Sequence, residues 1–135
     1  MTMIITEFDR QRLKDVLTVA CAQTVTPDKD LAGFLGAYYR AIVVPSDEVP
    51  RDVVTMNSRV DMYDMEYDVT ETYTLVYPVD SDIFTNRLSI LNPMGMAILG
   101  RRQGEIARWR STNGEHHLQL MKLVFQPERE GLLNL

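Results

Sequence analysis

Cysteine and long apolar runs are what this sequence has least of. Cys21 is the single cysteine among 135 residues, so no disulfide can form within the chain. No segment approaches the roughly 20 apolar residues that a membrane-spanning helix needs, and the N-terminus lacks the basic and apolar regions of a signal peptide. We therefore expect a soluble cytoplasmic protein that contacts no membrane.

Positive charge is scarce as well. The chain has 14 lysine and arginine residues against 19 aspartate and glutamate residues, which gives a net charge of −5. Proteins that grip DNA or RNA through the phosphates carry a basic excess instead. We therefore expect direct nucleic-acid contact to be weak or indirect, and we favour a protein partner.

The first 44 residues carry the period of α-helices. Apolar side chains recur at the i, i+3, i+4 and i+7 spacing of one helix face from Glu7 to about Ala22. Thr26 and Pro27 then form a helix start signal, and the second helix is expected to end before Pro45. A connection this short predicts an antiparallel helical hairpin, a short coiled coil. The two apolar faces consist of Leu13, Val16, Leu17 and Ala20, and of Leu31, Phe34, Leu35, Tyr38 and Ile42.

A linker with two prolines separates this hairpin from a strand-rich region. Alternating and β-branched segments predict antiparallel strands at 53–62, 70–77, 88–91, 105–110 and 116–126. Residues 79–87 are expected to form a polar, irregular loop, and Pro93 to start a stub helix over Met94 to Leu99. The predicted fold class is therefore α+β. Its parts are the hairpin in residues 1–44, the linker in 45–50, and an antiparallel β-sheet domain with one short helix in 51–135.

Candidate groups for chemistry are few. Asp28 and Asp30 flank the predicted hairpin tip and could bind a cation, although acids in the first turn of a helix also complement its dipole. His116 and His117 are adjacent in a strand, point to opposite faces, and so cannot hold one ion together. Aromatic residues make up 8% of the chain, and no aromatic-lined pocket can be recognised from the sequence. We predict no catalytic residue, no metal site and no cofactor.

Three segments carry a resemblance to a known family. They read PRDVVTMNS at residues 50–58, TLVYP at 74–78, and NPMGMAILG at 92–100 followed by Gly104 and Glu105. Together with the order of elements, they resemble the GreA/GreB transcript-cleavage factors. They are most similar to the Rnk branch of that family, whose members are called regulators of nucleoside diphosphate kinase.

The resemblance implies an FKBP-like C-terminal domain that docks on RNA polymerase at the rim of its secondary channel. The family's docking loop has a Ser-Pro pair, and Asn92 and Pro93 match it here. An apolar and basic surface around this loop would bury against the polymerase. Its implied polymerase-binding residues are Leu91, Asn92, Pro93, Met94, Arg101 and Arg102.

The resemblance also implies what the hairpin would and would not do. The cleavage factors carry two acids on the tip of a long coiled coil, where these help to hold a second Mg²⁺ in the polymerase. Here a helix of about 15 residues is only about 22 Å long, and the tip residues Thr26, Asp28 and Asp30 lack the family's Asp-x-x-Glu arrangement. We therefore predict a non-enzymatic regulator that competes with Gre factors and does not support cleavage.

Two alternatives stay open from the sequence. The first is a true cleavage factor that uses Asp28 and Asp30 with Mg²⁺. The second is direct control of a nucleoside diphosphate kinase, for which no residue pattern argues.

Overall fold

The computed structural model describes residues 2–23, 29–111, 113–133 and 135, and it confirms the mixed α+β class. Its strands form a small parallel pair and a curled five-stranded sheet. The elements in chain order are β1 Ile4–Thr6, α1 Glu7–Ala22, α2 Lys29–Tyr39, β2 Ile42–Val44, β3 Arg59–Asp64, β4 Val69–Val76, β5 Arg87–Ser89, α3 Pro93–Ile98, β6 Ile106–Ser111 and β7 Gly114–Phe125.

The second helix ends earlier than the sequence predicts. It stops at Tyr39, and Ile42 lies in β2, paired in parallel with Ile4 of β1. Residues 42–44 are three consecutive β-branched residues, which favour an extended backbone, and pairing with β1 holds them in that conformation. The carbonyl of Met3 accepts the Ile42 N–H at 2.9 Å and so fixes the pairing.

The two N-terminal helices contact each other through one pair of reciprocal hydrogen bonds. The Tyr38 hydroxyl donates to the Arg10 carbonyl at 2.7 Å, and the Arg10 guanidinium donates to the Tyr38 carbonyl at 3.0 Å. A groove of about 620 Å³ lies between the helices beside this contact, lined by Leu17, Cys21 and Leu35 among others. Buried Leu13, Leu17, Phe34 and Tyr38 belong to the same apolar core as the large sheet.

The large sheet has the order β5-β4-β3-β7-β6. Its pairs are antiparallel except for β4 with β5, which run parallel, so the prediction of a wholly antiparallel sheet is wrong for this edge. The chain leaves β4 through two 3₁₀ turns, Pro78–Asp80 and Ile83–Thr85, and returns to pair in the same direction. This long return brings α3 against β5 and β6.

The first strand of the sheet starts later than predicted. Val53 and Val54 are fully buried but precede β3, which begins at Arg59. Between them Thr55 and Ser58 form a turn in which the Ser58 hydroxyl accepts the Thr55 N–H at 2.9 Å. Hydroxyl side chains that bond nearby backbone groups favour such turns over a sheet ladder.

Candidate functional site

The loop that leads into α3 is held by side-chain caps. The Asn92 side-chain oxygen accepts the Met94 N–H at 2.9 Å, and the Ser89 hydroxyl accepts the Leu91 N–H at 3.1 Å. Pro93 is the first residue of the helix, where its missing N–H costs nothing. Asn92 is exposed, while its neighbours are half-buried. The loop is therefore a rigid, partly apolar projection beside the sheet.

Replacing Asn92 by alanine should remove this cap. A lost N-cap costs about 1 kcal/mol in the free energy of unfolding. Serine at the same position accepts the same N–H and should restore most of the loss. Urea unfolding of the two variants beside the wild type measures both values, and an Asn92→Ser variant as unstable as Asn92→Ala would contradict the cap's role.

The two arginines predicted for the site lie at the other end of α3. Arg101 donates from Nε to the Ala97 carbonyl at 3.1 Å and pairs with Glu105 at 3.7 Å. Arg102 pairs with Asp52 at 2.9 Å and is exposed. Both side chains are therefore oriented by contacts within the domain.

A groove of about 230 Å³ runs between α2 and α3 and brings part of the predicted site together. Pro93 and Arg101 line it from α3 and the residues just after it, and Asp30 lines it from the first turn of α2. Arg108 and Trp109 of β6 complete its basic and aromatic side. Thr26 and Asp28 lie outside the described residues.

A hollow of about 500 Å³ opens on the concave face of the sheet, next to the first turn of α3. It is lined by several aromatic rings, and it was not recognised from the sequence. The sequence signal was incomplete, because alternation assigns these side chains to one face of each strand but does not show which strands pair. We call this pocket the aromatic hollow; it is lined by Met62, Asp64, Tyr67, Val69, Glu71, Tyr73, Met94, Trp109, His116 and Leu118.

Hydrogen bonds and stacking fix the walls of the aromatic hollow. The Trp109 and His116 rings stack with centroids 5.3 Å apart and planes 17° apart. The Tyr73 hydroxyl donates to the Glu71 carboxylate, and burial together with this bond raises the pKa of Tyr73 to about 12. One Asp64 oxygen accepts two backbone N–H groups of the hairpin turn, which holds that turn at the rim.

The loop between β4 and β5 exposes large apolar side chains beside these features. Val79 is 89% exposed, Ile83 83% and Phe84 95%, although the sequence predicted a polar loop here. Clustered exposed apolar groups mark protein interaction sites more often than scattered ones do. The Asp82 side chain accepts the Phe84 N–H at 3.0 Å and sets the shape of the loop.

Neither a metal-ligating cluster nor a membrane-spanning helix occurs among the described residues. In the ranges 2–23, 29–111, 113–133 and residue 135, no three His, Cys, Asp or Glu side chains lie close enough together to hold a metal ion. None of the helices in this part of the chain has the length and apolar character needed to cross a membrane.

Comparison with known proteins gives a family for this architecture. The profile described as "Transcription elongation factor, GreA/GreB, C-term" matches residues 49–124. The chain therefore belongs to the GreA/GreB family. Within it, the chain is 36% identical over 132 residues to the "Regulator of nucleoside diphosphate kinase" of Escherichia coli K12, covering 96% of this chain and 94% of that protein.

More distant members match over part of their length. The "Transcription elongation factor GreA" of Clostridium botulinum strain Hall is 29% identical over 83 residues, which is 62% of this chain and 52% of that protein. This chain thus spans about half of that GreA. The solved structure of the "Prokaryotic transcription elongation factor GreA/GreB from Nitrosomonas europaea" superposes with a TM-score of 0.76 at 31% identity, covering 92% of this chain and all of that one.

Proposed function

We propose that this protein regulates transcription by binding RNA polymerase at the rim of the secondary channel, in competition with Gre factors and without supporting transcript cleavage. Residues 51–135 form the docking domain, with an FKBP-like arrangement of sheet and stub helix. Residues 45–50 are the linker, and residues 1–44 form a short helical hairpin that acts as an arm. The observation that carries the proposal is the family match over residues 49–124, which includes the capped loop before α3.

The docking surface is the α3 loop with the two flanking arginines. Leu91, Pro93 and Met94 supply partly buried apolar contact, and the exposed Asn92 both caps the helix and faces solvent. Arg101 and Arg102 extend the surface past the far end of α3. A rigid loop loses little conformational freedom on binding, which favours its use as an anchor.

The geometry of the helices supports a role without cleavage. At a rise of 1.5 Å per residue, the 16 residues of α1 span about 24 Å and the 11 of α2 about 16 Å. Asp30 is half-buried and lines the groove that also contains Arg101 and Arg108. Asp30 therefore lies against α3 and not at an exposed tip, so it is poorly placed to share a Mg²⁺ with another protein.

Binding to immobilised core RNA polymerase tests the docking surface. Pro93→Asp places a charge on the apolar loop but suits the first turn of a helix, so the fold should survive. We expect retention to weaken about tenfold or more, as for a charge buried at an interface centre. Pro45→Asp in the linker is the matched control and should bind like the wild type. Equal retention of Pro93→Asp and wild type would rule out the assigned surface.

A stalled transcription complex tests the non-cleaving role. The protein should displace a cleavage factor and slow transcript shortening, and it should cause no shortening by itself. Shortening by the wild type that disappears in an Asp28→Ala/Asp30→Ala double variant would establish the cleavage alternative instead.

The name of the Escherichia coli relative favours a second candidate, the regulation of a nucleoside diphosphate kinase. The same immobilised format serves this test with the kinase in place of the polymerase. A complex with the kinase and none with the polymerase would establish this candidate over the first.

A further inference from the structure

We propose that the aromatic hollow binds a cationic side chain, arginine or lysine, presented by an apolar segment of the partner protein. The inference rests on the proposed function for the identity of the partner, RNA polymerase. It adds to that function a second contact, next to the α3 loop, with its own ligand chemistry. Met94 belongs to both the loop and the lining of the hollow, so one partner can reach both.

Strand register brings the lining residues to one face. Met62 of β3 pairs with Glu71 of β4 and with Leu120 of β7. Asp64 pairs with Val69 on one side and Leu118 on the other. Trp109 of β6 pairs with His116 of β7. Since residues directly opposite each other share a face of the sheet, apolar, aromatic and acidic groups are interleaved across one surface.

The aromatic rings suit a cation that carries an apolar stem. Trp109 is half-buried and its plane is set by stacking on His116. Tyr73 is half-buried on the opposite side of the hollow, and Tyr67 stands at the rim, 70% exposed. The faces of tryptophan and tyrosine attract cations, and arginine in particular stacks flat on them. Met62 and Leu118 give the aliphatic stem an apolar floor.

The negative charge of the lining favours a cationic ligand. Asp64 and Glu71 line the hollow, and no lysine or arginine does so among the described residues. In that part of the chain, neither carboxylate takes part in a salt bridge. Glu66 and Asp68 in the turn of the same hairpin add to the negative potential. Such a field attracts a cationic group and opposes phosphate, which favours a basic protein segment over a nucleotide.

Trp109 makes the site directly observable, because it is the only tryptophan in the chain. The probe is the peptide acetyl-Ala-Leu-Arg-Leu-Ala-amide, and its partner contains citrulline, which is uncharged and nearly isosteric, in place of arginine. Tryptophan fluorescence is followed while each peptide is added to the protein at one fixed pH. We expect the arginine peptide to bind about three- to tenfold more tightly than the citrulline peptide, with the difference shrinking as salt is added.

Two variants test the contribution of the Glu71 carboxylate. Glu71→Gln keeps an acceptor for the Tyr73 hydroxyl but removes the charge, so the arginine preference should fall. Asp61→Asn removes the same charge from the other face of β3, where Asp61 accepts from Thr72, and should leave the preference intact. Circular dichroism of both variants checks that they fold.

The outcomes separate this inference from the proposed function. Equal affinity for the two peptides, or no fluorescence response to either, would overturn the cation site whether or not polymerase binds. An arginine preference that survives Glu71→Gln but not Asp61→Asn would overturn it as well. A Glu71-dependent arginine preference in a protein that fails to bind polymerase would support the site and remove polymerase as its partner.

Discussion

Replacing Gly95 by alanine is expected to lower the free energy of unfolding by about 3 kcal/mol, a large effect for one methyl group. Gly95 lies inside α3 and is buried. An added Cβ would sit 2.3 Å from the Ser89 carbonyl oxygen and 3.2 Å from both the Ile90 Cα and the Leu75 Cδ1. The nearest atom is backbone, so it cannot rotate away, and α3 has to lift off β5.

Gly33→Ala is the matched control for this variant. Gly33 also lies in a helix, α2, and nothing is within 4 Å of its added Cβ. Alanine there should stabilise the protein by about 0.5 to 1 kcal/mol, because glycine loses more backbone freedom on folding. Urea unfolding of the two variants gives both values. Equal effects of the two substitutions would show that α3 does not need its close approach to the sheet.

The Gly95 substitution also tests the proposed docking role of the loop before α3. Asn92 and Pro93 directly precede the turn that Gly95 allows to lie against the Ser89 carbonyl. If α3 lifts, the loop before it must move too. A Gly95→Ala protein kept folded at low temperature should therefore also bind polymerase less well, if the loop docks as proposed.

Local signals predicted α1 and α3 closely, because caps and helix stops act over a few residues. Thr6 accepts the Asp9 N–H at 3.0 Å and starts α1 at Glu7 as the pattern indicated. Pro93 starts α3 in the same way. By contrast, the end of α2 depends on the pairing of β2 with β1, in which Ile42 lies opposite Ile4, 38 residues earlier in the chain. Local helical spacing cannot reveal so distant a partner.

Register explains why the faces of β7 could not be predicted completely. Simple alternation would place Leu123 on the face opposite Leu118 and Leu120, yet all three are buried. The pairing with β3 shifts between Asp61 and Met62, where Lys122 and Leu120 are the successive partners and Met121 is extra. Such a bulge moves the following residues of β7 to the opposite face from the one that strict alternation predicts. Its position is set by the pairing with β3 and not by β7 alone.

In the candidate site, too, local features could be predicted and features that depend on strand pairing could not. The α3 loop was found from contiguous residues, because its cap, proline and glycine stand next to each other. The aromatic hollow draws on four strands and α3, and the pairing that assembles it includes the non-sequential neighbours β3 and β7. Only the tertiary pairing shows that Trp109 and Tyr73 line the same hollow.

The last prediction concerns a buried carboxylate that joins α1 to the segment before β3. Asp9 is 2% exposed, and its side chain accepts the Met56 N–H at 3.0 Å. Burial raises the pKa of Asp9 to about 7, and the nearby Glu128 carboxylate adds to the rise, while the Met56 hydrogen bond and Arg12 oppose it. The buried hydroxyl of Tyr77 has no hydrogen-bond partner among the described residues, and its pKa is raised by burial and by Asp9.

The raised pKa of Asp9 makes the free energy of unfolding decrease as the pH rises. The folded protein binds the Asp9 proton up to about pH 7, whereas the unfolded chain releases it near pH 3.8. The stabilising contribution of the protonated carboxyl is therefore complete below about pH 4, falls as the pH rises, and is gone above about pH 7. A pKa difference of this size corresponds to about 3 to 5 kcal/mol.

Asp9→Asn should remove this part of the pH dependence. Asparagine keeps a side-chain oxygen for the Met56 N–H but never ionises, so the variant should match the wild type near pH 4 and exceed its stability by about 3 to 5 kcal/mol near pH 8. Urea unfolding at a series of pH values measures the difference, and Asp15→Asn on the exposed face of α1 should leave the curve unchanged. A stability difference between Asp9→Asn and wild type that stays constant with pH would mean that Asp9 is already ionised in the folded protein near pH 4. The contact of α1 with the sheet domain would then be an ionic one, unaffected by neutral pH.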